Sequence, residues 1–168
     1  PAPTSAALKN DFPQVLMAGR YNNSELFGAG SGELRPADRS ENGFDEGIAY
    51  VDPELVRMLQ IPFIYGSPDK ALLARRTVLL TKNKADKYFP GENPVGKLLI
   101  INNDQKNPYT IDGVISDLGS TSQFPFEVIV TTSGLEFWKG EQGDWGASNY
   151  MTYVKLEAGT DPDEFAKK

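Results

Sequence analysis

Between Arg76 and Asp117 the chain reads RTVLLT, KNKADKYF, PGENPVG, KLLII, NNDQKNP and YTIDGVISD, an order that few folds accommodate. RTVLLT is a short apolar run with a β-branched start, too brief for a buried helix and well suited to a strand. KNKADKYF follows without a break and reads as one short helix with Ala85, Tyr88 and Phe89 turned inward. GKLLII and YTIDGVISD then form a hairpin around the polar turn NNDQKNP. A strand, a helix and an antiparallel pair in succession belong to an α+β arrangement rather than to a doubly wound parallel sheet.

The turn inside this stretch, FPGENPVGKLL, poses a chemical question. Gly91, Gly96 and Lys97 match the opening of the phosphate-binding pattern G-x-x-x-x-G-K. A phosphate loop needs a strand before it and a helix after it, so that helix N-terminal N–H groups face the phosphates. Here the helix comes first and the strand second. Pro94 removes one N–H of the cradle, and Leu98 stands where Ser or Thr would hold magnesium. The stretch is a helix stop and an NPVG turn feeding a core strand.

Elsewhere the local signals are uneven. TSAALKNDF reads as a short helix capped by Thr4 and stopped by Pro13. QVLMAGRY is a strand, and the segment from Asn22 to Gly47 is a loop or a long, poorly patterned hairpin. GIAYV is a strand leading into DPELVRMLQ, a helix with Asp52 at N-cap, Pro53 at N1, Glu54 at its positive end and Leu55, Met58 and Leu59 on one face. IPFIYGSPDKA is a turn region, and PFEVIVTT and YMTYVKLE are strands on either side of a Gly- and aromatic-rich excursion. GTDPDEFAKK starts a last helix, with Asp161 as cap and Pro162 at N1.

Composition removes whole classes of function. There is no Cys and no His among the 168 residues, so disulfides, thiol catalysis, a Cys-ligated metal and the usual general base are absent. The net charge of −6 repels a phosphate backbone, which argues against nucleic acid as a partner. No apolar run approaches the roughly 20 residues that cross a bilayer. The opening PAPTSA, without Met, reads as a piece of a longer protein.

One ordered series is more informative than any single motif. TVLLTKNKADKYFPGENPVGKLLIINN followed by YTIDGVISDL resembles the middle of the MacB-like periplasmic core domain of FtsX/MacB-type ABC transporter permeases. PAPTSAALKNDFPQV upstream, ALLARRTVLLT, and SQFPFEVIV and TYVKLEAGTD downstream continue the resemblance, which is weakest over 22–46 and 134–148. Arg75 and Arg76 replace the family's small residues, and Lys82 and Lys84 put positive charge in a helix's first turn, where the dipole disfavours it.

The resemblance implies a two-lobed α+β fold. A porter-like βαβ lobe would comprise 1–52 and 121–168, and an inserted Sabre-like lobe 53–120, with hinge or shear movement between them. Family members usually carry a further strand ahead of the P-x-P helix, so an open sheet edge is expected. It implies a non-catalytic domain on the periplasmic side of the inner membrane, joined to transmembrane helices of the same permease. ATP would be handled by a separate or fused ATPase, leaving no cofactor in this domain. The domain would couple ATP-driven movement to a periplasmic adaptor or substrate protein. The native permease would be a dimer and the isolated domain a monomer.

The excursion EFWKGEQGDWGASNYMTY is the candidate partner surface, with Phe137, Trp138 and Trp145 as anchors. The same aromatics would equally serve as a plug between lobes, or as a ligand or glycan platform (134–150) in a secreted binding module. Glu136, Glu141 and Asp144 are the carboxylates a glycosidase would need over such a platform; as a solvated acidic loop they need no function. DPDE at Asp161–Glu164 lacks the spacing of a calcium loop and is explained by capping. GAGSG (Gly28–Gly32) fails the dinucleotide pattern at Glu33 and reads as a flexible turn, and Asn22-Asn23-Ser24 fits a glycosylation sequon that arises often by chance.

Overall fold

The computed structural model describes residues 1–25, 29–40, 43–119, 122–124 and 126–167. Its helices are α1 (Thr4–Asp11), α2 (Pro53–Leu59), α3 (Lys82–Tyr88) and α4 (Pro162–Phe165). Its strands are β1 (Val15–Asn22), β2 (Gly30–Pro36), β3 (Phe44–Val51), β4 (Phe63–Tyr65), β5 (Thr77–Thr81), β6 (Leu98–Ile101), β7 (Tyr109–Ile115), β8 (Val128–Thr131) and β9 (Met151–Leu156).

All nine strands among the described residues belong to one mixed sheet, ordered β2-β6-β7-β5-β8-β3-β1-β9, with β4 on β7. β1 and β2 share one edge of β3 in succession: Asn22 pairs with Tyr50, and Gly30 to Leu34 with Ile48 to Phe44. β8 runs parallel to β3 along Ile48–Val51. Because β2 pairs with both β3 and β6, the strands β2, β6, β7, β5, β8 and β3 close into a ring. The path ends at β9, whose outer edge meets no described strand.

The two-residue period of the strands sorts the core into two faces. Val78 and Leu80, Val128 and Val130, Ile48 and Tyr50, Leu34, Leu99 and Ile111 point into the ring. Leu79, Ile129, Ala49 and Val51 point outward, where Leu55 and Val56 of α2 and Phe126 cover them. Fully burying such side chains is worth about 1.5–3 kcal/mol each. β5 and β8 are antiparallel, so α3, which leaves the C-terminal end of β5, and the loop that leaves the C-terminal end of β8 lie at opposite ends of the ring. α3 supplies Tyr88 and its C-cap Phe89 to the ring core, while Leu135 and Phe137 of the loop pack from the other end.

The lysines in the first turn of α3 have local reasons. Lys82 pairs with Asp86, and Lys84 pairs with Glu46 and, at 2.9 Å, with Glu127. The Asp117 carboxylate accepts the Asn83 N–H at 2.9 Å, placing a negative charge at the helix N-terminus from 34 residues away.

Three local expectations are corrected and two are sharpened. Thr4 lies inside α1 and does not cap it; Pro3 occupies the N-cap. Of the two readings of 22–47, loop or long hairpin, the β2–β3 hairpin is the one found, with 26–28, Glu41 and Asn42 outside the described residues. Gly30–Gly32, read as a flexible turn, begin β2, and Gly28 lies outside the described residues. Phe63–Tyr65, read as turn, is β4, and Gly66 follows at φ 90°, where an added Cβ would come within 2.6 Å of the Asp112 carbonyl oxygen. Asp52 occupies the N-cap of α2, but its side chain makes no cap hydrogen bond. The turn after α3 agrees with its reading: Gly91 and Gly96 both take positive φ, and β6 follows.

α2 packs directly on β1 because Gly19 has no side chain. A Cβ there would sit 2.6 Å from the Leu55 amide nitrogen and 2.9 Å from its Cα. These are backbone atoms of a helix, so relief requires shifting α2. Gly19→Ala is expected to cost about 2–3 kcal/mol, read as a lower denaturant midpoint with unchanged slope.

Candidate functional site

The region between β8 and β9 is built around a buried carboxylate. Glu141 opens a 3-10 turn (Glu141–Gly143) and is 0% exposed. Its Oε2 accepts the Phe137 N–H at 2.8 Å, and its Oε1 accepts from the Asn149 side-chain amide. Those bonds tie the two ends of the excursion together. They also fold Phe137 against Tyr50, at 5.1 Å between ring centres, and against Tyr150 at 6.5 Å. The Tyr50 hydroxyl is pushed up to about 12 by burial, with the Tyr109 hydroxyl adding to the shift. The Tyr150 hydroxyl is likewise raised, first by burial and then by the Glu141 charge.

Beside this hub stands a buried ion pair. Asp52 accepts Arg20 Nε at 2.8 Å and Nη2 at 3.1 Å, together with the Arg20 backbone N–H at 2.9 Å and the Thr132 hydroxyl. Arg20 Nη1 donates to the Ala2 carbonyl and, at 3.0 Å, to Gln142 Oε1, and the guanidinium lies 4.6 Å over the Tyr150 ring. Burial alone would lower the Arg20 pKa, but hydrogen bonding and attraction to Asp52 outweigh it, and the net shift is upward. One cluster thus joins the segment before α1, β1, the N-cap of α2, the residue after β8 and the excursion.

An open groove of about 700 Å³ runs along the outside of this cluster. Its walls are Pro53 and Glu54 of α2, Leu73 and Arg75, and Ser133 to Glu136 of the excursion. Leu73 is 51% exposed, so the groove offers an apolar spot together with an exposed arginine, Arg75, and an exposed glutamate, Glu136.

The aromatic residues singled out in the sequence do not form one platform. Phe137 is half-buried in the ring core, Trp138 is half-buried with contacts of its own, and Trp145 is 60% exposed. The carboxylates separate as well. Glu141 is fully buried and holds the loop, so it is not part of a solvated acidic surface. Glu136 is exposed, and Asp144 accepts the Gly146 N–H at 2.7 Å. Asp161 caps α4 through the N–H groups of Asp163 at 2.8 Å and Glu164 at 3.2 Å. Asn22 is 1% exposed and bonds the Ser24 N–H, so its amide is not presented for glycosylation. Among the described residues no group of three or more Asp or Glu is placed to hold a metal ion. No described helix is long and apolar enough to cross a membrane.

Arg20 and Asp52, the centre of the buried cluster, carried no functional signal in the sequence. Asp52 reads as a helix cap from local pattern, and its true partner is 32 positions away.

Comparison with known proteins fits this architecture. The family model of the MacB-like periplasmic core domain matches residues 2–168. The chain belongs to that family and is an extracytoplasmic domain of an ABC transporter permease. Such a permease carries transmembrane helices and works with an ATPase. Among solved structures, a permease-protein domain from Porphyromonas gingivalis aligns with a TM-score of 0.83 at 21% identity, over 99% of this chain and 72% of that one. The periplasmic region of MacB from Actinobacillus actinomycetemcomitans aligns at 0.64 and 16% identity, over 98% and 68%. The extracellular domain of the ABC-type transporter YknZ from Gram-positive bacteria aligns at 0.58 and 17%, over 92% and 71%. At these identities the structures speak for the fold alone. A sequence search of curated proteins returned no match.

Proposed function

We propose that this domain is a non-catalytic coupler, which passes movement of the membrane helices to a protein on the outer side of the membrane. The observation that carries this reading is the continuity of the sheet. β5, β6 and β7 of the inserted segment 53–120 are hydrogen-bonded to β8 on one side and to β2 on the other. A load applied to either part travels through paired backbone. The working motion is therefore a rigid-body displacement of both lobes together, in place of the hinge or shear between lobes that the resemblance implies. No step of catalysis is needed from Glu136, Glu141 or Asp144, since Glu141 is consumed in holding the loop.

The docking surface in this reading is the excursion with its groove, where Trp145 stands outward and Leu73 and Arg75 lie alongside. A glycan platform would need stacked rings on one face, and the burial of Phe137 in the core speaks against it. ATP remains with the ATPase of the transporter. The test is the double variant Trp138→Ala/Trp145→Ala. In the full-length permease it is expected to lower transport or partner activation at least tenfold, the loss typical of interface anchors. The isolated chain should still unfold cooperatively, with a midpoint reduced by a few degrees. Full activity in the double variant would remove this surface from the mechanism; loss of folding would make the aromatics a structural plug.

A further inference from the structure

On the opposite side of β6 from the ring core, the hairpin strand β2 buries a second arginine with a different problem. Arg35 is 6% exposed, yet no described carboxylate lies within ion-pairing distance of it. Its Nη1 donates to the Arg39 carbonyl at 2.7 Å and to the Pro36 carbonyl at 3.4 Å, and its Nε reaches Asn103 Oδ1 at 3.4 Å. A guanidinium has five N–H donors, and no described residue accepts from Nη2. Nη2 is not sealed from solvent, so its donors open onto the space that Arg35 lines.

That space is a cavity of about 480 Å³ whose walls include Arg39, Ser40, Gln105 and Leu98. A second cavity of about 280 Å³ adjoins it, sharing Ala37, Asp38 and Leu98 and adding Phe89 and Lys97. Arg35 and Arg39 put positive charge on one wall, in a chain of net charge −6, while Lys97 is already paired with Glu92. Of the described acids nearby, Asp38 lies 3.9 Å from Arg39 with its side chain 72% exposed, and Glu92 holds Lys97. The other wall is apolar, and Leu98 is 43% exposed. Hydroxyl and amide donors at Ser40 and Gln105 complete a setting for a tetrahedral or planar anion.

We propose that the Arg35 cavity is an oxyanion-binding site, taking a phosphate or carboxylate group, with the surface at Leu98 available to an apolar chain attached to it. The planar fork of arginine binds both anions with paired N–H donors. The site is distinct from the groove at the excursion, and the inference stands independently of the coupling role.

The test is calorimetric titration of the chain, in low-salt buffer free of competing oxyanions, with inorganic phosphate and with monomeric octyl phosphate. Saturable binding is expected, and Arg35→Met should weaken it about tenfold or more. Arg35→Met strands no carboxylate among the described residues but gives up the bonds to the Arg39 and Pro36 carbonyls, so it should still unfold cooperatively, with a midpoint lowered by a few degrees. Lys106→Met, which removes an exposed charge next to Gln105 in sequence, should change nothing. If octyl phosphate binds at least tenfold tighter than phosphate, and Leu98→Ala abolishes only that difference, the ligand is an amphiphile such as a lipid. Equal affinities would identify a free oxyanion. No binding of either probe at millimolar concentration, or equal binding to Arg35→Met, overturns the proposal.

Discussion

Replacing Asp52 by Ala is expected to lower the stability of this domain by about 3–5 kcal/mol, the usual consequence of removing one partner of a buried ion pair. The Arg20 guanidinium, in a residue 9% exposed in the wild-type chain, would lose two of its strongest acceptor contacts while still lying among Ala2, Tyr150 and Gln142. The loss extends beyond the pair, since Asp52 also holds the Arg20 backbone N–H and the Thr132 hydroxyl. For a chain of this length 1 kcal/mol corresponds to roughly 2–4 °C in midpoint, so a fall of about 6–20 °C should appear in a thermal melt. Asp52→Asn keeps the shape and one acceptor oxygen and should cost less. Arg20→Met leaves a bare carboxylate that can reach the adjoining groove and its water, and should fall between them. A loss below about 1 kcal/mol in Asp52→Ala would mean that Arg20 is solvated through the groove, and that the cluster does not hold the excursion in place.

The same residue shows where the sequence is legible and where it is not. Elements that depend on their own residues were readable: β5, α3, β6 and β7 follow from apolar runs and turn chemistry, and Asp161 caps α4 as its D-P-D-E setting suggests. Elements that depend on partners were not. β2, with the sequence GSGELRP, has almost no strand propensity and is extended because β3 and β6 bond it on both sides. β4, three residues between Pro62 and Gly66, exists only as a partner of β7. Glu141 shows the same limit for the candidate site. A glutamate among glycines reads as surface, and only the return of Asn149 and Phe137 around it makes it the anchor of the loop. The acidic pattern and the aromatic pattern were both visible, but which side chain turns inward is decided by tertiary contacts. The family resemblance was legible because it rests on the order of elements, which survives when individual residues do not.

The second large effect concerns Glu46 and carries a pH signature. The carboxylate sits under α3 with its side chain 3% exposed, accepting from Lys84, from Lys87 at 2.6 Å and from the Tyr88 hydroxyl at 2.7 Å. Burial by itself would raise its pKa. The three donors outweigh burial, and the carboxyl is held below its usual value. A depressed carboxyl contributes stability that is fully present above its unfolded pKa, near 4.3, and that is lost as the pH falls through the folded value. Lys84 has the opposite sign: burial lowers its pKa, but the bonds to Glu46 and Glu127 more than offset that, and the net shift is upward. Its contribution is present below the ordinary lysine value and fades as the pH rises through the raised one. Glu46→Ala is therefore expected to cost about 3 kcal/mol between roughly pH 5 and 10, a fall of about 6–12 °C in midpoint. Lys84 keeps Glu127 as a partner and Lys87 can turn to solvent, which keeps the loss from being larger; the Tyr88 hydroxyl, 2% exposed as a residue, has no such exit. The difference between wild type and variant should narrow below about pH 4, because wild type has then protonated the group that the variant lacks. A difference that stays constant down to pH 2 would show that Glu46 acts through packing, and that its charge holds nothing at the junction of β3 and α3.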